Sequence, residues 1–153
     1  MELTFSPAAP SDGADIFRFA RELIETYEDP REMDLDRALK WTRRKIETHI
    51  DEYRCVYCGG QKAGFFRFVP CEGGMELDDL YILPEYRGRG IGTAVVERCC
   101  AETALPVMLY VFIQNTGALG LYQRLGFTNT EQVSATTASC AGRHHENHKT
   151  QLF

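Results

Sequence analysis

Hydrophobic residues at helical spacing predict two helices near the start of the chain. The first is capped by Ser11 or Asp12 and ends at Asp29-Pro30, and the second runs from about Asp34 to Ile50. Before them, the alternating run Leu3-Thr4-Phe5 predicts a short edge strand. The inward-facing residues of the first helix are Ile16, Phe17, Ala20, Leu23, Ile24 and Tyr27. Those of the second are Leu35, Ala38, Leu39, Thr42, Ile46 and Ile50, and its predicted solvated basic face is Arg37, Lys40, Arg43, Arg44 and Lys45.

Runs rich in β-formers fill the middle of the chain and predict an antiparallel meander of strands. Tyr53–Cys58 and Gln61–Val69 flank the two-residue turn Gly59-Gly60, which is the pattern of a β-hairpin. After a further glycine turn, Met75–Leu83 supplies another strand, and Pro84 ends it.

A helical crossover is predicted to follow the meander. The helix runs from about Ile91 to Ala104, and the continuous apolar run Pro106–Ile113 after it is typical of a strand buried on both faces. Because a helix separates this run from Met75–Leu83, the two strands are predicted to lie parallel and adjacent. Asn115–Leu125 then predicts a short helix that ends in a left-handed cap at Gly126.

The C-terminal part of the chain gives a weaker pattern. Thr128–Thr137 and Lys149–Phe153 are predicted to form a last pair of strands, joined by the polar stretch Ser139–Asn147. No internal repeat or linker interrupts the sequence. Residues 1–153 are therefore predicted to form one domain, since single domains most often have about 100–150 residues.

Composition and charge narrow the range of functions. The net charge is −5, whereas a general nucleic-acid binder needs a basic stripe that neutralises phosphates, so no nucleic-acid partner is expected. Residues 1–30 contain no unbroken apolar run, so neither a secretory signal nor a membrane span is expected. The protein is predicted to be cytoplasmic, without a membrane partner, and to keep its six cysteines reduced.

The most informative chemistry lies between a predicted strand and a predicted helix, in the segment Arg87-Gly88-Arg89-Gly90-Ile91-Gly92. Glycines permit positive φ and close approach of a ligand, so successive backbone N–H groups can converge on an anion at the helix N-terminus. The segment is neither a Walker A loop, since no Lys-Ser/Thr follows, nor a GxGxxG dinucleotide fingerprint. A pyrophosphate is the expected ligand, and a flexible β–α connection is the alternative.

The flanks of this turn make the pattern more specific. The turn extends into the run LYILPEYRGRGIG, Leu80–Gly92, and this run resembles the acetyl-CoA motif of the GNAT superfamily of N-acetyltransferases. Farther along the chain, Asn115, Ala118, Leu121-Tyr122 and Leu125-Gly126-Phe127 resemble the second motif of that superfamily. Two motifs in this order, separated by a helix and a buried strand, are much more specific than either alone.

The resemblance implies a mixed α/β fold that binds acetyl-CoA and needs no metal. The central sheet would have about six or seven strands flanked by about four helices, and its two parallel strands would splay apart to admit the pantetheine arm. Backbone groups of Leu80, Tyr81 and Ile82 would bond this arm and polarise the thioester carbonyl. The residues implied to hold the pyrophosphate are Arg87, Gly88, Arg89, Gly90, Ile91, Gly92 and Thr93. The residues implied to contact the rest of the cofactor are Asn115, Ala118 and Tyr122.

The implied reaction is direct transfer of an acetyl group to an amine in a ternary complex, since no cysteine stands in a recognisable nucleophile motif. The amine must lose a proton before it attacks, and Glu76 matches a family base position. Asp78 lies on the same strand face by alternation and is the second choice, whereas Asp79 points oppositely if no bulge intervenes. Tyr122 matches the general acid that protonates the departing thiolate. The alternative for the carboxylates of this strand is a solvated strand end or a charge that holds the substrate. The alternative for Tyr122 is a buried aromatic residue of the helix.

Two other functions stay open on the sequence alone. A CoA-binding sensor or regulatory domain would keep the fold without the catalysis. A zinc-binding interaction module would use Cys55-x-x-Cys58 with His144, His145 and His148. The two cysteines lie three positions apart in a predicted strand and therefore face opposite ways, which argues against zinc.

The sequence contains less information about the acceptor substrate than about the cofactor. The segment Glu25–Asp36 is rich in carboxylates, and in the GNAT superfamily the loop between the first two helices lines the acceptor site. A cationic acceptor such as a polyamine, an aminosugar or a lysine side chain is therefore expected, with an ordinary acidic surface loop as the alternative. Because similar proteins are commonly homodimers, the resemblance leaves a homodimer open.

Overall fold

The computed structural model describes residues 2–132 and 137–142, with side chains up to residue 128. Its helices are α1 Gly13–Tyr27, α2 Leu35–Thr48, α3 Ile91–Ala101 and α4 Thr116–Arg124. Its strands are β1 Leu3–Pro7, β2 Tyr53–Cys58, β3 Gln61–Cys71, β4 Gly74–Ile82, β5 Val107–Phe112, β6 Thr128–Gln132 and β7 Thr137–Gly142. Single 3₁₀ turns occur at Pro10–Asp12, Ile50–Glu52 and Pro84–Tyr86. In the described part of the chain, the predicted helices and the first five predicted strands are all present.

The strands form one mixed sheet in the order β1-β2-β3-β4-β5-β7-β6. β1, β2 and β3 pair antiparallel in sequence, β4 pairs parallel with β5, and β7 runs antiparallel to both β5 and β6. The parallel pairing of β4 with β5 follows from the intervening helix and confirms the sequence prediction. The mixed α/β fold expected from the sequence is likewise confirmed, with seven strands in the described residues.

The chain divides into two compact units. The first unit comprises the described residues up to Arg67 together with Asp79–Leu83, and the second comprises Phe68–Asp78 and the described residues from Pro84 onward. The prediction of a single domain stays a prediction. The core residues of the first unit are Ala8, Ile16, Phe19, Ile46, Tyr53, Cys55, Phe65 and Tyr81. This core therefore includes Ile16 of α1 and Ile46 of α2, which the helical periodicity assigned to the interior.

Carboxylates stand at the N-caps of α1 and α2, but only that of Asp34 caps its helix with a side-chain hydrogen bond, and Asp12 makes none to α1. Asp12 accepts a hydrogen bond from the Ala9 N–H at 2.8 Å and an ion-pair contact from Lys62, which ties the start of α1 to β3. Asp34 caps α2 by accepting from the Arg37 N–H at 3.2 Å. The assignment of Lys45 to a solvated basic face is wrong, because its side chain is only 19% exposed and lies against Asp79.

Two predictions for the second unit require correction. α3 ends at Ala101 rather than at residue 104, since the Glu102 N–H already bonds several carbonyls of the last turn. The prediction that β5 is buried on both faces is also wrong. Val107, Leu109 and Val111 are buried, but Tyr110 between them is 48% exposed, so only one face is fully covered.

The last strands are also placed differently from the prediction. β6 begins at Thr128 as expected, but its partner β7 is Thr137–Gly142, which overlaps the stretch 139–147 predicted to be a polar connection. The small residues of β7 carry little β-propensity, and their pairing with β5 over six positions decides their conformation. The predicted strand at 149–153 lies outside the described residues. None of the described helices combines the length and apolar character needed to cross a membrane.

Candidate functional site

The glycine turn between β4 and α3 adopts the backbone conformations that its sequence permits. Gly88 and Gly90 have φ of +74° and +80°, in the left-handed region. An l-residue with a side chain is strained there, so glycine is required for this path of the chain. Gly90 is the N-cap of α3, and the Ala94 N–H donates the first intrahelical bond to its carbonyl at 3.0 Å.

The start of α3 is an array of backbone donors. The N–H groups of Ile91, Gly92 and Thr93 precede the first intrahelical bond and point out of the N-terminal end of the helix. Left-handed glycines beside such donors can aim successive backbone N–H groups at one anion, and the helix dipole adds partial positive charge at the same end. This arrangement suits an anion with several oxygen atoms.

Two arginines add formal positive charge to this turn. Arg87 and Arg89 are both exposed, and the guanidinium carbon of Arg89 lies 5.2 Å from the centre of the Tyr86 ring. The Arg87 N–H donates to the Pro84 carbonyl at 3.2 Å, which closes the short 3₁₀ turn before the glycines. The turn therefore combines backbone amides with exposed cationic side chains, as phosphate sites commonly do.

The predicted base candidates lie on β4 in the same unit as the turn. Glu76 and Asp78 are half-buried, while Leu77 between them is buried, as strand alternation requires. The parallel register of β4 with β5 pairs Met75 with Val107 and Glu76 with Met108 and does not continue to Leu77 or Asp78. Glu76 thus stands at the last paired position of these two strands.

Asp79 departs from the strand alternation assumed for it. Its φ of +51° is the one positive value at a non-glycine residue in the described part of the chain. Its Oδ2 accepts a hydrogen bond from the Tyr53 hydroxyl at 2.6 Å and another from Lys45 Nζ at 3.3 Å. The regular extended backbone on which strand alternation depends is therefore interrupted at this residue. Sequence reasoning did not find the cluster of Lys45, Tyr53 and Asp79, because its members are 26 and 34 positions apart.

The second predicted motif forms α4 and its two ends. Asn115 is the N-cap, and its Oδ1 accepts from the Ala118 N–H at 3.3 Å, so this contact joins two of the predicted cofactor residues. Tyr122 is only 8% exposed, and its ring meets Phe127 edge-on with centroids 5.9 Å apart. The predicted left-handed cap at Gly126, with φ of +94°, turns the chain toward β6.

A family comparison decides the identity of this arrangement. Residues 16–127 match the family model described as the acetyltransferase (GNAT) family. The chain belongs to the GNAT family. The resemblance inferred from the two motifs is thereby confirmed. The GNAT match begins within α1 and ends just after α4, and so includes both the glycine turn and the Asn115 cap.

Proteins named as N-acetyltransferases resemble the chain in sequence. An uncharacterised N-acetyltransferase of Methanocaldococcus jannaschii is 37% identical over 62 residues, which cover 38% of this chain and 27% of that protein. A thialysine N-ε-acetyltransferase of Mus musculus is 42% identical over 55 residues, which cover 33% of this chain and 32% of that protein. The chain thus spans about a quarter to a third of the length of these curated relatives.

A solved structure shows that the GNAT fold extends over nearly the whole chain. The PaiA N-acetyltransferase of Thermoplasma acidophilum, crystallised with coenzyme A, superimposes with a TM-score of 0.69 at 18% identity. The superposition covers 94% of this chain and 100% of that one. At this identity the likeness establishes the fold.

The remaining predicted cofactor residues belong to the first unit. Tyr81 is 9% exposed and stacks on Phe19 of α1, with ring centroids 3.8 Å apart and an interplanar angle of 14°. Leu80 and Ile82 flank it on β4 and are half-buried. That the backbone of these three residues binds a pantetheine arm stays a prediction.

The acidic segment between α1 and α2 uses several of its charges locally. Asp29 accepts from the Arg31 backbone and guanidinium at 2.9–3.1 Å, and these contacts hold the pKa of Asp29 below its usual value. Asp34 caps α2, and Glu25 pairs with Arg21 at 3.2 Å. These contacts favour the alternative of an ordinary acidic surface over a substrate-attracting loop.

The cysteines give little support to the competing chemistries. Burial raises the pKa of the Cys55 thiol to about 11, and the charge of Asp12 adds to the effect. This thiol stays protonated at neutral pH and is a poor nucleophile or metal ligand. No cluster of three or more metal-ligating side chains occurs among the side chains that the structure describes, residues 2–128. The histidines of the zinc hypothesis lie outside that range.

Proposed function

We propose that the chain transfers an acetyl group from acetyl-CoA to a primary amine. The observation that carries this proposal is the turn with Gly88 and Gly90 left-handed at the N-terminus of α3, in a member of the GNAT family. The coenzyme A complex of the Thermoplasma neighbour supports the donor. The mouse relative is named as an acetyltransferase for the ε-amine of thialysine, and this name supports an amine acceptor.

The turn would hold the diphosphate of the donor. Its oxygens carry negative charge and can each accept from several backbone N–H groups, which the residues from Arg87 to Thr93 supply. Arg87 and Arg89 add charge attraction that is screened by salt, since both are exposed. The backbone part of the site is set before the ligand arrives, so little conformational entropy is lost on binding.

The reaction requires a nitrogen lone pair. A neutral amine attacks the thioester carbon, a C–N bond forms, and the carbonyl π electrons move to oxygen. When the carbonyl re-forms, the C–S bond breaks and the electron pair leaves with sulfur as a CoA thiolate. Overall the amine gives up one proton and the thiolate takes one, so the enzyme needs one proton acceptor and one donor.

Two residues of the second unit are assigned to these proton transfers. Glu76, half-buried at the last paired position of β4, accepts the proton of the amine, with Asp78 as the second candidate. Tyr122, buried on α4, donates a proton to the departing thiolate. Asn115 orients the start of α4 through its cap, which fixes the helix that carries Tyr122.

The proposal is tested by thiol release from acetyl-CoA against a broad panel of amines and lysine peptides. Release of free CoA that depends on the amine and yields the acetylated product is expected. A rise in melting temperature with acetyl-CoA, but no release with any amine, would instead fit a CoA-binding sensor and contradict the proposal.

Tyr122→Phe is expected to lower kcat by about 100-fold, the lower end of the usual contribution of a general acid. The KM for acetyl-CoA should stay near the wild-type value, because the phenol acts on the leaving group rather than in binding. Steady-state kinetics check this. The control is Tyr57→Phe on β2, which removes the same hydroxyl group from a half-buried tyrosine with no proposed role in the reaction. An unchanged kcat in Tyr122→Phe would remove this residue from the mechanism.

Glu76→Gln is expected to lower kcat by about 100-fold and to flatten the acidic limb of the pH–rate profile, since the amide cannot accept the proton. Glu72→Gln, in the exposed turn before β4, is the matched control and should keep wild-type rates. If Glu76→Gln keeps both the rate and the profile while Asp78→Asn loses them, the base is Asp78.

A further inference from the structure

The outer surface of α2 carries an exposed tryptophan between two exposed arginines. Trp41 is 65% exposed, more than any other large hydrophobic side chain that the structure describes. Arg37 lies one helical turn before it and Arg44 one turn after it, so the three residues are neighbours on one side of the helix. Together they form the Trp41 face. Tryptophan is only a mediocre helix former, so helix propensity does not account for its place there.

The two arginines of the Trp41 face form no ion pair within the described part of the chain. Glu47, three residues after Arg44, pairs instead with Arg43 at 3.7 Å. Asp34, three residues before Arg37, accepts from the backbone N–H of that residue at 3.2 Å. The carboxylates nearest in sequence therefore have other contacts. Each guanidinium keeps donors for an anion from outside the chain, and five N–H donors are available on each.

The spacing and the chemistry of the Trp41 face define what fits it. Arg37 and Arg44 are seven residues apart, which is about 10 Å along the helix axis. The indole between them is apolar, so a ligand made of charged groups alone would leave it in water. A matching ligand has two carboxylates with an apolar group between them. A second helix laid beside α2 presents side chains at this same seven-residue repeat.

The charge of the rest of the molecule narrows the kind of partner. The chain has a net charge of −5, which disfavours nucleic acids and anionic lipids, since both are bound by larger basic clusters. A second copy of the chain offers few carboxylates on the neighbouring helix α1. There, Asp15 already pairs with Arg18 at 3.5 Å. Glu25 likewise pairs with Arg21 at 3.2 Å. An acidic segment of a different protein meets both requirements.

We propose that the Trp41 face docks an acidic amphipathic helix of a partner protein. Carboxylates of that helix pair with Arg37 and Arg44, and an apolar side chain between them covers the indole of Trp41. Tryptophan and arginine are enriched among the residues that contribute most to protein–protein binding, and an arginine can hold a carboxylate through two parallel hydrogen bonds. This interaction goes beyond the acetyltransferase function and does not depend on it.

The test uses the fluorescence of Trp41, which is the only tryptophan in the chain. The probe is a synthetic helix of three heptads without tryptophan, with leucine at its apolar positions and glutamate on both flanks. Repulsion between the glutamates keeps the probe from pairing with itself. Binding is expected to shift the emission of Trp41 to shorter wavelength and to reduce its quenching by acrylamide, because the indole leaves water.

Two matched probes separate charge from apolar contact. The same helix with lysine in place of glutamate should leave the emission of Trp41 unchanged, because like charges meet at the arginines. The glutamate helix with alanine in place of leucine should bind at least about tenfold more weakly, because most of the apolar contact is lost.

A pair of double variants locates the binding site. Arg37→Gln with Arg44→Gln is expected to weaken binding of the glutamate helix by about tenfold, since two arginine–carboxylate pairs are lost. Arg18→Gln with Arg21→Gln removes the same charge from the exposed surface of α1 and should keep wild-type affinity. Both double variants retain Trp41 as the reporter. Their melting temperatures should match wild type, because the substituted side chains are exposed.

Each other outcome overturns the inference in a recognisable way. Unchanged emission of Trp41 at millimolar glutamate helix removes the docking site. Equal affinities of the two double variants, or equal binding of the glutamate and lysine helices, remove the role of the arginines. Tighter binding of phosphatidylserine vesicles or of a single-stranded oligonucleotide would assign the face to lipid or nucleic acid. Emission that shifts with protein concentration alone would assign it to a second copy of the chain.

Discussion

Gly90→Val is expected to weaken coenzyme A binding by at least about 100-fold, or about 2.7 kcal/mol, while the chain stays folded. A Cβ built at Gly90 meets no atom within 4 Å, so the substitution creates no clash inside the protein. The new side chain would instead stand at the N-cap of α3, beside the N–H groups that we propose to bind the diphosphate. Calorimetric titration with coenzyme A measures the loss directly.

The matched control for this substitution is Gly60→Val in the β2–β3 hairpin. Gly60 has φ of +83°, close to the +80° of Gly90, and its Cβ would also meet nothing within 4 Å. Both variants should therefore lose a similar stability, about 1–2 kcal/mol for the left-handed conformation. Only Gly90→Val should lose coenzyme A. Equal affinities in the two variants would show that the turn does not bind the ligand.

Gly64→Ala is expected to destabilise the chain by at least about 3 kcal/mol, a large part of the roughly 5–15 kcal/mol of a typical domain. A Cβ at Gly64 would stand 2.2 Å from the Tyr81 carbonyl oxygen and 3.2 Å from the Ile82 Cα. These are backbone atoms of the neighbouring strand β4, so no side-chain rotation relieves the clash. Chemical denaturation gives the change in free energy of unfolding.

Gly13→Ala is the control for this second substitution. Gly13 is buried at the start of α1, but its nearest neighbour would be the Ile50 Cδ1 at 4.0 Å, an ordinary contact. Alanine should be neutral there or stabilise the helix by up to about 1 kcal/mol. A Gly64→Ala protein as stable as wild type would mean that β3 and β4 do not approach as closely as described.

The parts of the molecule that could be predicted from sequence depend on local signals. Gly59-Gly60 specifies the hairpin turn, and Gly88 with Gly90 specifies the turn before α3, because few residues other than glycine adopt these conformations. Asn115 and Gly126 mark the two ends of α4 in the same way. Such signals act within a few residues, so a single sequence displays them.

The features that could not be predicted depend on distant residues or on sheet pairing. Nothing near Asp79 indicates a positive φ, since its hydrogen-bond partners Lys45 and Tyr53 come from α2 and β2. For the same reason, the sequence did not show that Lys45 lies inward, and the prediction placed it with the other basic residues of α2 on a solvated face. β7 could not be recognised because pairing with β5, rather than its own small residues, makes it a strand.

The central claim, that the amides around Gly88–Thr93 bind a diphosphate, is tested most directly by calorimetry with coenzyme A and with pantetheine, which lacks the diphosphate. A micromolar dissociation constant for coenzyme A is expected, with pantetheine at least about 100-fold weaker. Absence of heat from coenzyme A at millimolar concentration, or equal affinity for the two ligands, would contradict the account.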